Sequence, residues 1–267
     1  MNQYTFGMIG CGNMGGALAE AAAKALAPAK LAVSESSPER CAQLRHEGFA
    51  TVTDLSDLVS NSNYIILAVK PQGLAALFEE LRPMLKARKD RFVLVSMAAG
   101  ISIDRIRELA GEDYPVIRIM PNTPVRVEKG MIVYATAGTT AEETELFLNT
   151  LVHAGKFDAI PEKWMDAAGA LSGCGPAFVY LFAEALADGG VECGLGRKEA
   201  LFYAAQTLSG AAEMILQTGE HPAKLKDAVC SPGGTTIEGV RALENGAFRG
   251  TVMSAVLAAF DKTAKLK

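Results

Sequence analysis

Met8-Ile9-Gly10-Cys11-Gly12-Asn13-Met14-Gly15 is the stretch on which the reading of this chain turns. Its G-x-G-x-x-G glycines follow an apolar run, Tyr4–Ile9, that reads as a strand, and they open a segment, Gly15–Ala27, that reads as a helix. In that setting Gly10 permits a tight turn, Gly12 lets the backbone approach a pyrophosphate, and Gly15 allows close packing of helix on strand. The unpaired N–H groups at the helix start then face the phosphates. Ile9, Gly10, Cys11, Gly12, Asn13 and Met14 are therefore candidate cofactor-binding residues. A glycine-rich turn that binds nothing is the alternative, and the strand before and helix after weigh against it.

Outward from this motif the alternation continues. Strands are predicted at Leu31–Ser34, Tyr64–Val69, Phe92–Ser96, Val116–Met120 and Met131–Tyr134. Helices are predicted at Pro38–Glu47, Leu74–Leu85 and Ile103–Leu109. Strands alternating with helices imply βαβ units and a mostly parallel sheet. The fold class expected is α/β, a Rossmann-type doubly wound sheet over residues 1–160. Residues 161–267 read differently, as an all-α region with helices at Lys163–Leu171, Ala177–Cys193, Arg197–Gln217, Ala223–Val229, Ile237–Asn245 and Phe248–Lys265. Helices this apolar need more covered surface than one thin layer provides, so pairing between subunits is expected. A self-contained helical core is the alternative.

Composition narrows the function classes. With 26 Lys and Arg against 30 Asp and Glu, the net charge of −4 offers no basic field for nucleic acid or anionic lipid. Five scattered cysteines without a CxxC pair fit free thiols in a reducing compartment, not a disulfide framework or a zinc site. No signal peptide is read at the start, and the uncharged run Ala167–Ala183 falls short of the roughly 20 residues that span a bilayer. A cytoplasmic protein without a metal is expected.

The nucleotide reading extends to other strand ends. Glu35 lies where a carboxylate usually accepts from the adenosine ribose hydroxyls and selects NAD. Ser36 and Ser37, with Arg40, could instead hold a 2′-phosphate, with Glu35 turned outward; NADP(H) and NAD(H) both stay open here. Ala68-Val69-Lys70-Pro71 follows the third predicted strand, and Lys70 is placed to sit beside ribose or phosphate. Ala98 and Ala99, before Gly100, would let a flat nicotinamide ring lie close to the backbone.

For the reaction, absence is informative. Alcohol and ketone dehydrogenases normally need a His or Lys proton relay at the reacting carbon. Between Trp164 and Gly196 there is no Lys, Arg or His, and His46, His153 and His221 lie on polar segments or in a turn. A C=N substrate relaxes that need, because an imine can take its proton from water. The loop Cys230-Ser231-Pro232-Gly233-Gly234-Thr235-Thr236 opens a helix, so backbone N–H groups converge where a small carboxylate could dock, and Thr236 offers a hydroxyl to an imine nitrogen. An ordinary Ser/Thr helix cap is the alternative.

Lys226-Asp227-x-x-x-Ser231-Pro232-Gly233-Gly234-x-Thr236-Ile237 resembles the signature of the pyrroline-5-carboxylate reductases. The likeness extends to the glycine loop, Ala68–Pro71, Ala98–Ile101, Met120–Pro124, Leu171–Ala177 and Ala187–Val191. The resemblance implies reduction of 1-pyrroline-5-carboxylate to L-proline by NAD(P)H, with NADP(H) favoured, on a Rossmann domain followed by an all-helical dimerisation domain. It implies homodimers through that domain, often built into decamers. Ser231, Gly233, Gly234, Thr235 and Thr236 would bind the substrate carboxylate, with Thr236 the catalytic contact to the ring nitrogen. Glu162 matches a family residue near that site; its other reading is an acid favoured at a helix start. A reductase of a related cyclic imine, or a nucleotide sensor without turnover, are the rival functions.

Overall fold

The computed structural model describes residues 3–265, so the outer ends of the two predicted regions lie outside it. In chain order the first part contains β1 (Tyr4–Ile9), α1 (Asn13–Ala23), β2 (Leu31–Ser34), α2 (Pro38–His46), β3 (Ala50–Thr51), α3 (Leu55–Asn61) and β4 (Ser62–Leu67). There follow α4 (Leu74–Ala87), β5 (Val93–Ser96), α5 (Ile103–Ala110), β6 (Val116–Met120), β7 (Gly130–Ala137), α6 (Ala141–Thr150) and β8 (Gly155–Ala159). The rest is helical: α7 (Met165–Ala168), a π-helical turn at Gly169–Gly173, α8 (Gly175–Glu192), α9 (Arg197–Thr218), α10 (Pro222–Val229), α11 (Thr235–Asn245) and α12 (Phe248–Ala264).

The strands form one sheet in the order β3-β2-β1-β4-β5-β6-β7-β8. All neighbours are parallel except β6 and β7, which pair antiparallel with Arg118 opposite Ala135. This is the Rossmann-type doubly wound sheet expected, followed by helices. β3, β8, α3 and α6 are not among the elements expected from sequence. Two residues of β3 carry no period, and β8 is an edge strand with its side chains largely exposed, so neither shows an apolar alternation. For α6 a start signal exists: Thr140 and Glu143 form a capping box.

The central strands are buried on both faces, which is why they read as continuous apolar runs. One face packs Phe78, Leu81 and Leu85 of α4 with Ile106 of α5. The other packs Leu18 of α1, Leu44 of α2 and Phe147 of α6. Phe6, Tyr64 and Phe147 meet there with ring centroids 5.4–5.8 Å apart.

By its internal contacts the chain divides after Cys174; the first unit also takes the end of α12 from Ala259, and the second is Gly175–Ala258. The second unit has little core of its own: Ala187 of α8 with Ala200 and Ala204 of α9. Among the described residues, every exposed large apolar side chain except Val127, Leu146, Val152 and Trp164 lies at Leu171 or beyond. A groove of about 540 Å³ in the second unit is lined by Phe178, Phe182, Leu186, Leu243, Phe248 and Val252 among others. The continuous helical run Glu162–Glu192 is long and apolar enough, by length and composition, to cross a membrane. The uncharged stretch inside it, Ala167–Ala183, is bounded by Asp166 and Glu184.

Candidate functional site: the glycine loop and the helix-opening loop

The glycine loop turns as its residues require. Gly10 has φ +87°, and a Cβ there would stand 2.8 Å from the Ala68 carbonyl oxygen. A Cβ on Gly15 would stand 2.7 Å from the Gly10 oxygen, which is the close helix–strand approach its position implies. Gly12, by contrast, faces open space. It is the N-cap of α1 and has no side chain to bond the first turn, so no side-chain cap occupies the N–H groups that open the helix. Ile9 and Cys11 are buried beneath the turn; Gly12 and Asn13 are exposed at its crest. Burial pushes the Cys11 thiol up to about 11, against the pull of Arg40, so it stays protonated.

Glu35 is turned inward. Its Oε2 accepts from the Cys11 amide at 2.7 Å, and its Oε1 accepts from the Ser36 amide (2.7 Å), the Ser37 amide (3.1 Å) and the Ser36 hydroxyl (3.1 Å). Burial would raise its pKa, but the bonds from Cys11, Ser37 and Ser36 together outweigh that and hold it below the ordinary value. The Ser37 hydroxyl accepts from the Arg40 amide as the cap of α2. Arg40 Nε donates to the Cys11 carbonyl at 3.2 Å. Both serines and Arg40 thus already have partners around the Glu35 carboxylate.

Cys11, Glu35, Ser37 and Arg40 line a cleft of about 430 Å³ with Gly12, Asn13, Glu20 and Arg126. Arg126, not among the residues expected at this site, donates to the Asn13 carbonyl at 3.2 Å and is exposed. It follows Met120-Pro121-Asn122-Thr123-Pro124, and only the folding of that segment beside α1 brings it here; nothing in its spacing signals the position. Ala68 adjoins Gly10, Val69 and Pro71 are half-buried, and Lys70 is exposed just beyond β4. Past β5, Ala98 is buried with its amide on Ser96 Oγ at 3.4 Å, Ala99 is half-buried, and Gly100 takes φ +77°.

In the second unit, α10 and α11 are joined by Cys230–Gly234. Gly233 takes φ +68°, and the Gly234 amide closes the turn on the Ser231 carbonyl at 3.0 Å. Gly234 is the N-cap of α11 and no side chain bonds its first turn, so the arrangement is not the Ser/Thr cap that stood as the alternative. Among the described residues, the hydroxyls of Ser231, Thr235 and Thr236 make no hydrogen bond. Thr236 is half-buried in the first turn of α11. Lys226 pairs with Asp227 at 2.6 Å.

Glu162 sits elsewhere in the first unit, between β8 and α7. Its Oε1 accepts from the Ile103 amide at 2.7 Å and from Arg118 Nη1 at 3.0 Å. The histidines have structural surroundings: His153 Nδ1 lies 3.2 Å from Glu128, and His221 caps α10 through the Ala223 amide. No group of three or more His, Cys, Asp or Glu able to hold a metal ion occurs among the described residues.

A doubly wound sheet with an open glycine turn, followed by helices, defines the class of two-part, Rossmann-type dinucleotide-binding chains. Within it the chain belongs to the pyrroline-5-carboxylate reductase family. A family model described as pyrroline-5-carboxylate reductase dimerisation matches residues 162–266, and one described as NADP oxidoreductase, coenzyme F420-dependent, matches residues 5–100. The chain is 42% identical to the pyrroline-5-carboxylate reductase of Pisum sativum, covering 99% of this chain and 97% of that one. It is 40% identical to that of Escherichia coli, covering 97% of each. Among solved structures, Plasmodium falciparum pyrroline carboxylate reductase with NADP bound superposes with a TM-score of 0.89 at 32% identity, covering 100% of this chain and 99% of that one.

Proposed function

We propose that this chain reduces 1-pyrroline-5-carboxylate to L-proline with NAD(P)H, the last step of proline biosynthesis. Full-length likeness to reductases of that name carries the reading. Residues 1–160 serve as the dinucleotide-binding domain and 161–267 as the helical substrate-binding and dimerisation domain. The coenzyme is NADP(H), supported by the NADP-bound relative; NAD(H) is admitted because Glu35 has the geometry of a ribose acceptor.

The reduced nicotinamide supplies the hydride. The protein's part is binding and orientation. Amides of Asn13 to Gly15 hold the pyrophosphate, with Ile9 to Met14, Glu35, Ser36, Ser37, Ala68 to Pro71, Ala98 and Ala99 lining the coenzyme. Ser231, Gly233, Gly234 and Thr235 present the opening turn of α11 to the substrate carboxylate, and the Thr236 hydroxyl orients the ring nitrogen. Glu162 serves the site through its bonds to the Ile103 amide and Arg118.

The exposed apolar helices support a homodimer through the second part, and a decamer built from it is the fuller form of the same proposal. With no basic field for nucleic acid or lipid and a partner copy to cover its apolar helices, the enzyme works in the cytoplasm.

The test is oxidation of NADPH and NADH by purified protein, with and without pyrroline-5-carboxylate. Rapid imine-dependent oxidation is expected. Folded protein that binds nucleotide but oxidises neither coenzyme would remove the assignment. Thr236→Ala should then lower kcat about 10- to 100-fold with nucleotide affinity unchanged, and unchanged kinetics would take Thr236 out of the mechanism.

A further inference from the structure

Arg118 lies on β6 among Val116, Ile117, Ile119 and Met120, all buried, and is itself only 4% exposed. A guanidinium there is retained only with carboxylates against it, and such a buried pair adds little net stability for its cost. What it supplies is geometry. Nη1 donates to Glu162 Oε1 at 3.0 Å and Nη2 donates to Asp166 Oδ1 at 2.8 Å, while Nε is buried with no hydrogen-bond partner. The same Glu162 oxygen accepts the Ile103 amide at 2.7 Å.

Ile103 is the first residue of α5 and ends the segment Ala98-Ala99-Gly100-Ile101-Ser102 that leaves β5. That segment is pinned at both ends: the Ala98 amide meets Ser96 Oγ, and the Ile103 amide meets Glu162. Between the pins stand Ala99 and Gly100, the latter at φ +77°. Under the function proposed above, on which this step rests, the nicotinamide ring lies against that segment.

We propose that Glu162, braced by Arg118 and Asp166, is a positioning residue for hydride transfer. It acts by fixing the Ala98–Ser102 segment, and so the ring that lies on it, without touching the imine. A shift of about 1 Å in such a support is enough to cost on the order of 100-fold in rate.

The experiment compares wild type, Glu162→Ala and Glu162→Gln in steady-state kinetics, reduced-nucleotide affinity and backbone amide exchange. Glu162→Ala should lower kcat roughly 10- to 100-fold, shift KM for the imine less than about twofold, and weaken nucleotide binding about tenfold. Its amides from Ala99 to Ile103 should exchange faster. Glu162→Gln, whose amide oxygen still accepts the Ile103 N–H, should keep that protection and recover most of the rate. A rise in imine KM with kcat retained would place Glu162 on the substrate and overturn the proposal, as would unchanged exchange at Ile103 in Glu162→Ala. If the alanine variant does not fold, Arg118→Lys loosens the same brace and carries the same expectations. Should the wild type fail to reduce the imine, the functional reading falls by itself, and exchange with nucleotide affinity still decides whether Glu162 positions this segment.

Discussion

Glu35 Oε2 accepts the Cys11 amide at 2.7 Å, so the acidic end of β2 is tied directly to the turn that carries Gly10 and Gly12. A carboxylate fixed in that place accepts readily from a ribose diol and repels a 2′-phosphate. Glu35→Gln retains an acceptor for the Cys11 amide and removes the charge. The ratio of kcat/KM for NADPH over NADH should rise about tenfold, the scale of one unit charge removed from beside a phosphate at a partly exposed site. An unchanged ratio would show that Glu35 does not read that end of the coenzyme.

The same carboxyl predicts a pH dependence of stability. Its folded pKa is below the ordinary value of 4.5, so the stability it contributes is fully present above that pH and is lost as pH falls through the lowered value. The Tm gap between wild type and Glu35→Gln should therefore hold from neutrality down to pH 4.5 and close in stronger acid. A gap that stays constant into acid would mean the ionised form is not favoured by folding.

Two glycines of one motif should fail in different ways. A Cβ on Gly15 meets the Gly10 oxygen at 2.7 Å and Ala68 Cβ at 3.0 Å, so Gly15→Ala should cost about 1–3 kcal/mol and lower Tm by several degrees. Gly12 faces open space, so Gly12→Val should lower Tm less than Gly15→Ala does, by the cost of a poorer cap on α1, and weaken nucleotide binding tenfold or more, about 1.4 kcal/mol per tenfold. Calorimetry and nucleotide titration separate the two; equal effects on both quantities would refute the division of labour.

Leu181 of α8 is 68% exposed and lines the second unit's apolar groove. If a second copy covers that groove, Leu181→Arg places a charge in the interface, and sedimentation velocity should show the wild type as a dimer or larger species and the variant shifted to monomer. Wild-type protein that sediments as a monomer would leave the groove without its proposed occupant.

The sheet was legible because its central strands are apolar on both faces and each is followed by a glycine turn or a helix start. Gly10, Gly12 and Gly15 can be told apart from spacing alone: Gly10 takes φ +87°, Gly15 has no room for a Cβ, and Gly12 faces open space. What escaped was set by tertiary contact. The exposed edge strand β8 has no period to read. Arg126 reaches Asn13 across 113 positions of sequence, and Arg118 looks like an interruption in an apolar run until Glu162 and Asp166 fold over it. From sequence Glu162 reads as either a site acid or a helix-start acid. The structure shows it bonding the start of α5, a helix 59 positions earlier in the chain.

The small core shared by Ala187, Ala200 and Ala204 also bears on the order in which the molecule acquires structure. The sheet emerges first in synthesis and carries both layers of its own interior, so it can close by a first-order step. Helices that expose most of their apolar surface in the single chain complete their burial only on meeting a second copy, a second-order step whose rate scales with protein concentration. Refolding from dilute solution should therefore separate in time, with nucleotide binding recovered before turnover.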